Sequence, residues 1–220
     1  QPDAVLYAWQ GGMVGGLGTV DVLTGKVSPS GKLTDTIAYE IKDYPSDKNF
    51  GNMDTDLYEE DIYVGYRYFE TVAKDRVRYP FGYGLSYTDF SIQVKEIAVS
   101  AEQADFTYTV TNTGNYAGKE VVQVYVEAPQ GKLGKPARSL AGYAKTKELM
   151  PGEAQDIEIS VPFYTIASYD DSGVTGYRSS YVLEEGEYKF YVGTDVRADK
   201  SSGAVTIEET EVVETLTQAL

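Results

Sequence analysis

The chain has 220 residues, 34 acidic against 19 basic, with a formal charge of −15 and neither histidine nor cysteine. That length holds one large domain or two small ones, 42% hydrophobic residues exclude a disordered chain, and the acidic balance excludes a nucleic-acid partner, which needs a basic face. The missing histidine and cysteine exclude disulfides, thiolate nucleophiles, Ser-His-Asp triads and histidine or cysteine metal sites within the chain, so any acid–base work falls to carboxylates, lysine or tyrosine. No apolar run approaches the ~18 residues that span a bilayer. The chain reads as soluble, cytoplasmic or secreted, with no membrane partner, no metal and no cofactor.

Residues 1–40 have an α/β character. AVLYAW (4–9) is a continuous apolar run of strand type. In GGMVGGLGTVDVLTG (11–25), Met13, Leu17 and Val20 share one helical face, and Gly25 stands where a helix C-cap glycine belongs. Three further glycines within that helix each cost about 1 kcal/mol relative to alanine, which makes sense where another backbone packs closely. Their spacing fits neither G-x-G-x-x-G nor G-x-x-x-x-G-K-[ST], so no nucleotide phosphate site is read here.

Residues 41–90 form a loop-rich connector. YPSDKNFGNMDTD (44–56) is turn-rich. In YEEDIYVGYRYF (58–69), bulky residues alternate on both faces from Ile62, which predicts a strand held between two bodies. YPFGYGLSYTDF (79–90) follows, with five aromatic residues, either a stacking platform for a sugar or a hydrophobic joint between domains. From residue 91 to 206 the pattern is all-β. Phe106, Tyr108 and Val110 alternate with threonines, and Val122, Val124 and Val126 alternate in KEVVQVYVE. SLAGYAKTK (139–147), QDIEISVP (155–162), SYVLEEG (180–186) and EYKFYVG (187–193) are further strands, separated by the turns NTGN, QGKLGKP, MPGE and EEGE. The fold class is therefore mostly β: an immunoglobulin or fibronectin type III-like sandwich preceded by a partial α/β sandwich segment. Twenty tyrosines against one tryptophan and seven phenylalanines suit half-buried β surfaces and also carbohydrate. In EETEVVETLTQAL (208–220), Val212 or Val213, Leu216 and Leu220 have helical spacing, so residues 207–220 read as a helical linker or tail.

The ordered set LTGKVSPSGKLTDT, YEEDIYVGYRYF, YPFGYGLSYTDF, VTNTGNYAGKEVVQVYV and ELMPGE resembles the C-terminal part of glycoside hydrolase family 3, which contains β-glucosidases and β-xylosidases. The likeness runs from Ala4 to about Gly193. It implies the end of an α/β sandwich domain at 1–40, a connector packed across the domains at 41–90, and a fibronectin type III-like domain at 91–206. It also implies retaining hydrolysis of terminal β-glycosides, most simply β-glucosides, with two carboxyl groups roughly 5–5.5 Å apart. In the family the nucleophile is an Asp on a barrel domain. The acid/base is usually a Glu upstream of the strand that corresponds to AVLYAW. Neither motif is present, so no catalytic residue is expected in this chain, which would be inactive alone. Its partners would be the remaining segments of the same enzyme and, through them, a β-glucoside or oligosaccharide. Homo-oligomerisation is left open. The tail resembles family members in which the barrel follows the fibronectin-like domain, so it would lead toward one. A carbohydrate-binding or purely structural sandwich is the alternative.

Four residues are candidates for lining the substrate pocket. Trp9 and Gln10 end a strand at the edge where α/β crevices form, with core or loop packing as the plainer reading. Tyr58 and Glu59 are candidates for the active-site rim. Glu59 and Glu60, if extended, point to opposite faces and cannot flank one bond, and the plainer reading is solvated connector carboxylates. Arg67 is read as an interdomain salt bridge or cation–π contact. Asp54 and Asp56 resemble part of a calcium loop but lack its glycine and distal glutamate. Tyr79, Phe81, Tyr83, Tyr87 and Phe90 are read as the interdomain joint.

Overall fold

The structure, a computed structural model, describes residues 2–217. Its C-terminal part is a β-sandwich. Strands β3 (Phe90–Val99), β4 (Gln103–Asn112) and β7 (Ala154–Pro162) form one antiparallel sheet, in the order β3-β4-β7. Strands β5 (Val121–Glu127), β6 (Ser139–Lys145), β10 (Gly186–Gly193) and β11 (Lys200–Ile207) form the other, in the order β11-β10-β5-β6. The period-2 pattern explains the core. Phe106, Tyr108 and Val110 of β4 meet Val122, Val124 and Val126 of β5 and Tyr188, Phe190 and Val192 of β10 in one buried cluster. A third small sheet, β12-β9-β8, joins β8 (Ser168–Asp170), β9 (Ser180–Leu183) and β12 (Glu211–Thr215).

β5 departs from simple alternation. Residues 122–126 are all buried, because the outer face of this strand is also covered. Its cover is the connector. Tyr125 is fully buried, its ring 6.4 Å from that of Tyr66, and it donates to Gln123 Oε1 at 2.5 Å.

The connector forms a small core of its own. The two-residue strand β1 (Ile37–Ala38) pairs with β2 (Val77–Tyr79). Helix α2 (Tyr66–Val72) lays Phe69 against Ala38, Ala73 and Val77, with Tyr44 edge-on to Phe69 at 5.4 Å. The strand expected from Ile62 is thus a turn followed by a helix. Phe69 is the buried residue of the helix, and Ala73, which caps it and donates its N–H to Phe69 O at 3.0 Å, packs in the same cluster, so the alternation of bulky residues is not what is buried.

Three other expectations are corrected. Residues 4–9 form no strand: among the described residues nothing pairs with them, and Val5, Tyr7 and Trp9 are exposed. A run apolar on both faces needs neighbours on both, and none is present. The expected helix does form, as α1 (Gly15–Leu23), and Gly25 takes the left-handed conformation of a helix C-cap, with φ +73. However, α1 buries no residue, and a side chain at Gly15, Gly16 or Gly18 would meet nothing within 4 Å. The α/β segment is therefore a helix without its strand, and its glycine face is open. Finally, the tail is β-structure at Glu211–Thr215, where pairing with β9 overrides its helical spacing. Residues 218–220, which include Leu220 of that spacing, lie outside the described residues.

Candidate functional site

Two regions gather the candidate residues. The first is an open groove of about 460 Å³ beside α1, lined by Leu6, Trp9, Gly12, Gly16, Thr19 and Val22 among others. Trp9 sits at this groove with φ +52, a left-handed conformation uncommon for a non-glycine residue. Its ring meets Tyr7 edge-on at 4.5 Å. Among the described residues, no carboxylate lines the groove. Gln10, Tyr58 and Glu59 do not line it either. Gln10 is exposed beside Trp9. Tyr58 and Glu59 stand on the exposed loop between the first connector turns and α2, where Tyr58 is 92% exposed. Glu59 and Glu60 occupy a turn, not an extended segment, with Tyr63 N–H donating to Glu60 O at 2.8 Å. The same loop exposes Phe50, Met53 and Leu57. Arg67 is exposed and lies 6.0 Å from the Tyr66 ring centroid.

The second region is the contact between connector and sandwich. Tyr66 stacks on Phe81 at 4.6 Å, and its hydroxyl accepts from Leu140 N–H at 2.9 Å. Tyr79 and Tyr83 pair at 5.3 Å. Phe81 O accepts from Val196 N–H at 3.0 Å. Gln123 reaches across from β5 and donates to Thr194 O at 2.5 Å and Gly82 O at 3.4 Å. Burial foremost, then Tyr66 and Asp195, push the Tyr125 phenol well above its ordinary pKa, so it stays a neutral donor to Gln123. Gly82 has φ +84, and a Cβ there would lie 2.4 Å from Gln123 Oε1. At Gly84 a Cβ would lie 2.3 Å from Gly31 O. Both positions need glycine for close backbone approach. Tyr87 donates to Val22 O at 2.9 Å and so ties α1 to the connector. Phe90 packs on the sandwich core instead. Arg197 adds an ion pair to buried Glu70 at 3.1 Å.

Some organising residues gave no sequence signal. Glu184 and Lys135 pair at 2.5 Å with both side chains 5% exposed, 49 residues apart in the chain. Glu184 also accepts from Lys132 N–H, fixing the QGKLGKP turn. Asp170 is fully buried and accepts from Gly173 and Thr175 N–H at 2.6 and 2.8 Å. A charged residue in a turn-rich segment reads as solvated until its burial is seen.

The comparisons with known proteins decide the family. Residues 1–87 match the glycosyl hydrolase family 3 C-terminal domain, and residues 120–196 match a fibronectin type III-like domain. The chain belongs to glycoside hydrolase family 3. Over its full length this family 3 chain is 60% identical to a β-glucosidase of Ruminococcus albus, of which it covers 23%. It is 51% identical to β-glucosidase A of Butyrivibrio fibrisolvens over 90% of the chain and 26% of that protein. A crystal structure of a β-glucosidase from Paenibacillus barengoltzii superimposes with a TM-score of 0.91 at 52% identity, covering 96% of the chain and 24% of that structure. β-Glucosidase 3B of Thermotoga neapolitana, in complex with α-D-glucose, gives 0.83 at 38% identity, over 94% and 28%. The family 3 chain thus spans about a quarter of the length of these relatives. Among its described residues no helix is long and apolar enough to cross a membrane.

Proposed function

We propose that this chain is the non-catalytic portion of a retaining family 3 β-glucosidase that removes terminal non-reducing β-D-glucosyl units, and that it scaffolds an active site whose reacting groups lie in other segments. The observation that carries this reading is the 60% identity to a β-glucosidase across the whole chain. Retention requires two carboxyl groups about 5–5.5 Å apart on either side of the scissile bond.

The exposed face of residues 4–23 is where the remainder of the α/β sandwich would pack. Met13, Leu17 and Val20, at i, i+4 and i+7, are each more than 50% exposed there, an apolar stripe that a folded enzyme would cover. Trp9, and beside it Gln10, would then line the pocket at the edge of that sheet. Tyr58 and Glu59, on a loop that also exposes three large apolar side chains, would stand at the rim. Tyr79, Phe81, Tyr83 and Tyr87 would form the joint that holds the sandwich to this assembly. The α1–connector–sandwich contacts described above support that role.

The experiment is to follow hydrolysis of an aryl β-glucoside by the longer enzyme with proton NMR. β-Glucose is expected as the first-formed sugar, without turnover of the α-anomer. α-Glucose appearing first would contradict a retaining mechanism.

A further inference from the structure

The third sheet carries an aromatic row that the proposed active site does not use. Tyr169 of β8 and Tyr181 of β9 are directly opposite each other in the ladder, and Glu214 of β12 is opposite Tyr181 on the other side. The three side chains therefore share one face, across all three strands. The short helix α3 (Phe163–Ile166) adds Tyr164 beside Tyr181. The ring centroids of Tyr164 and Tyr181 are 5.1 Å apart, and those of Tyr181 and Tyr169 are 5.2 Å apart. Tyr164 is 47% and Tyr169 41% exposed, so the outer rings present much of their faces to solvent.

We propose that Tyr164, Tyr181 and Tyr169 form a binding platform for a soluble β-glucan chain, on the face of the β8–β9–β12 sheet that α3 adjoins. The chemistry selects this occupant in three ways. A pyranose offers C–H faces that stack on phenol rings and hydroxyl edges that need polar partners, and a row of tyrosines beside a carboxylate supplies both. The step between rings is close to the length of one sugar unit in an extended chain. The chain's charge of −15 and the Glu211 and Glu214 carboxylates on β12 repel anionic polymers, leaving a neutral polyhydroxyl chain as the matched partner. The rings are inclined to one another by 49° and 53°. A flat crystalline surface needs coplanar rings, so the platform suits a single twisted chain in solution.

The platform is also held rigid. Tyr169 is followed by Asp170, whose buried carboxylate ties down the turn through Gly173, Val174 and Thr175 N–H and the Ser172 and Thr175 hydroxyls. Ser180, next to Tyr181, is linked to Thr215 at 2.9 Å. Little ordering is left to be done on binding, which favours affinity. The choice of glucan rests on the glycosidase reading above. The readout does not, because it is binding by a chain without turnover.

The test is native electrophoresis of the 220-residue chain through gels containing soluble mixed-linkage β-glucan. The chain should be retarded in a saturable way. Tyr164→Ala and Tyr169→Ala should each weaken binding by about 5- to 100-fold, the range that one stacked ring contributes in single-stranded nucleic-acid binding. Tyr169→Phe, which keeps the ring, should retain most of it, and Tyr143→Ala, at an exposed tyrosine on β6, should behave as wild type. As a check that needs no variant, cellohexaose should shift tyrosine ring signals of the wild-type chain saturably in NMR spectra. Absence of retardation, retardation by xylan or an α-glucan but not by β-glucan, undiminished binding by folded Tyr164→Ala and Tyr169→Ala, or an equal loss in Tyr143→Ala would each overturn the proposal.

Discussion

At the residue scale, two buried carboxylates organise the loops of the sandwich. Burial opposes the charge of Glu184, but the Lys135 ammonium and the Lys132 N–H outweigh it and hold the carboxyl below its ordinary pKa. Removing one member of such a pair leaves an uncompensated buried charge. Glu184→Ala is expected to destabilise the chain by about 3–5 kcal/mol in urea unfolding, and Glu184→Ala with Lys135→Met by clearly less. A single-variant loss below about 1 kcal/mol would contradict the buried-pair account. Asp170 is governed likewise: burial opposes its charge, and donors from Thr175, Gly173 and Ser172 overcome this and depress its pKa strongly. Both groups have folded pKa values below their unfolded ones, so the unfolded chain binds protons first as pH falls. Their stabilisation is present above about pH 4 and is lost as pH drops from there through the depressed values. Unfolding midpoints in urea at about pH 7 and about pH 3.5 should show a loss for wild type that is smaller in Asp170→Asn.

At the element scale, the joint and α1 make opposite predictions. Phe81 stacks on Tyr66 between connector and sandwich. Phe81→Ala should cost about 2 kcal/mol, less than for a fully buried ring because Phe81 is half-buried, lowering the melting temperature by roughly 4–8 °C. The Michaelis constant of the longer enzyme should stay nearly unchanged. A raised Michaelis constant with an unchanged melting temperature would make these rings a substrate platform instead. For α1, Gly16 meets open space in this chain. Gly16→Ala should raise the stability of the isolated chain slightly, by at most about 1 kcal/mol. In the longer enzyme the same change should destabilise, because a backbone is expected to pack against that glycine face. Stabilisation of both in calorimetry would remove the packing reading.

How much was legible followed from where each element finds its partners. β4, β7 and β10 bury alternate residues against their own sandwich, so period 2 in the sequence was enough. β5 was half legible: Val122, Val124 and Val126 announced one face, but Gln123 and Tyr125 are buried by a connector that no local pattern foretells. Residues 58–69 misled because tyrosines at both spacings fit a strand or a helix, and contact between Phe69, Ala38 and Val77 decided between them. Residues 211–215 carry helical spacing and became a strand through pairing with β9. The aromatic row of Tyr164, Tyr181 and Tyr169 is assembled from a helix and two strands, so its members are not periodic in sequence. The left-handed backbone of Trp9 has no signal in the local sequence pattern.

At the scale of the whole molecule, the chain is a sandwich with its own core, joined through a tyrosine-rich connector to a helix whose apolar face is uncovered. That asymmetry is the physical content of the claim that the chain supports an active site without containing its reacting groups. The most direct measurement is turnover of an aryl β-glucoside by the 220-residue chain and by the longer enzyme at equal molar concentration. Hydrolysis is expected from the longer enzyme, and a rate indistinguishable from the buffer blank from the chain. Turnover by the chain itself, abolished by replacing one of its own carboxylates, would contradict it.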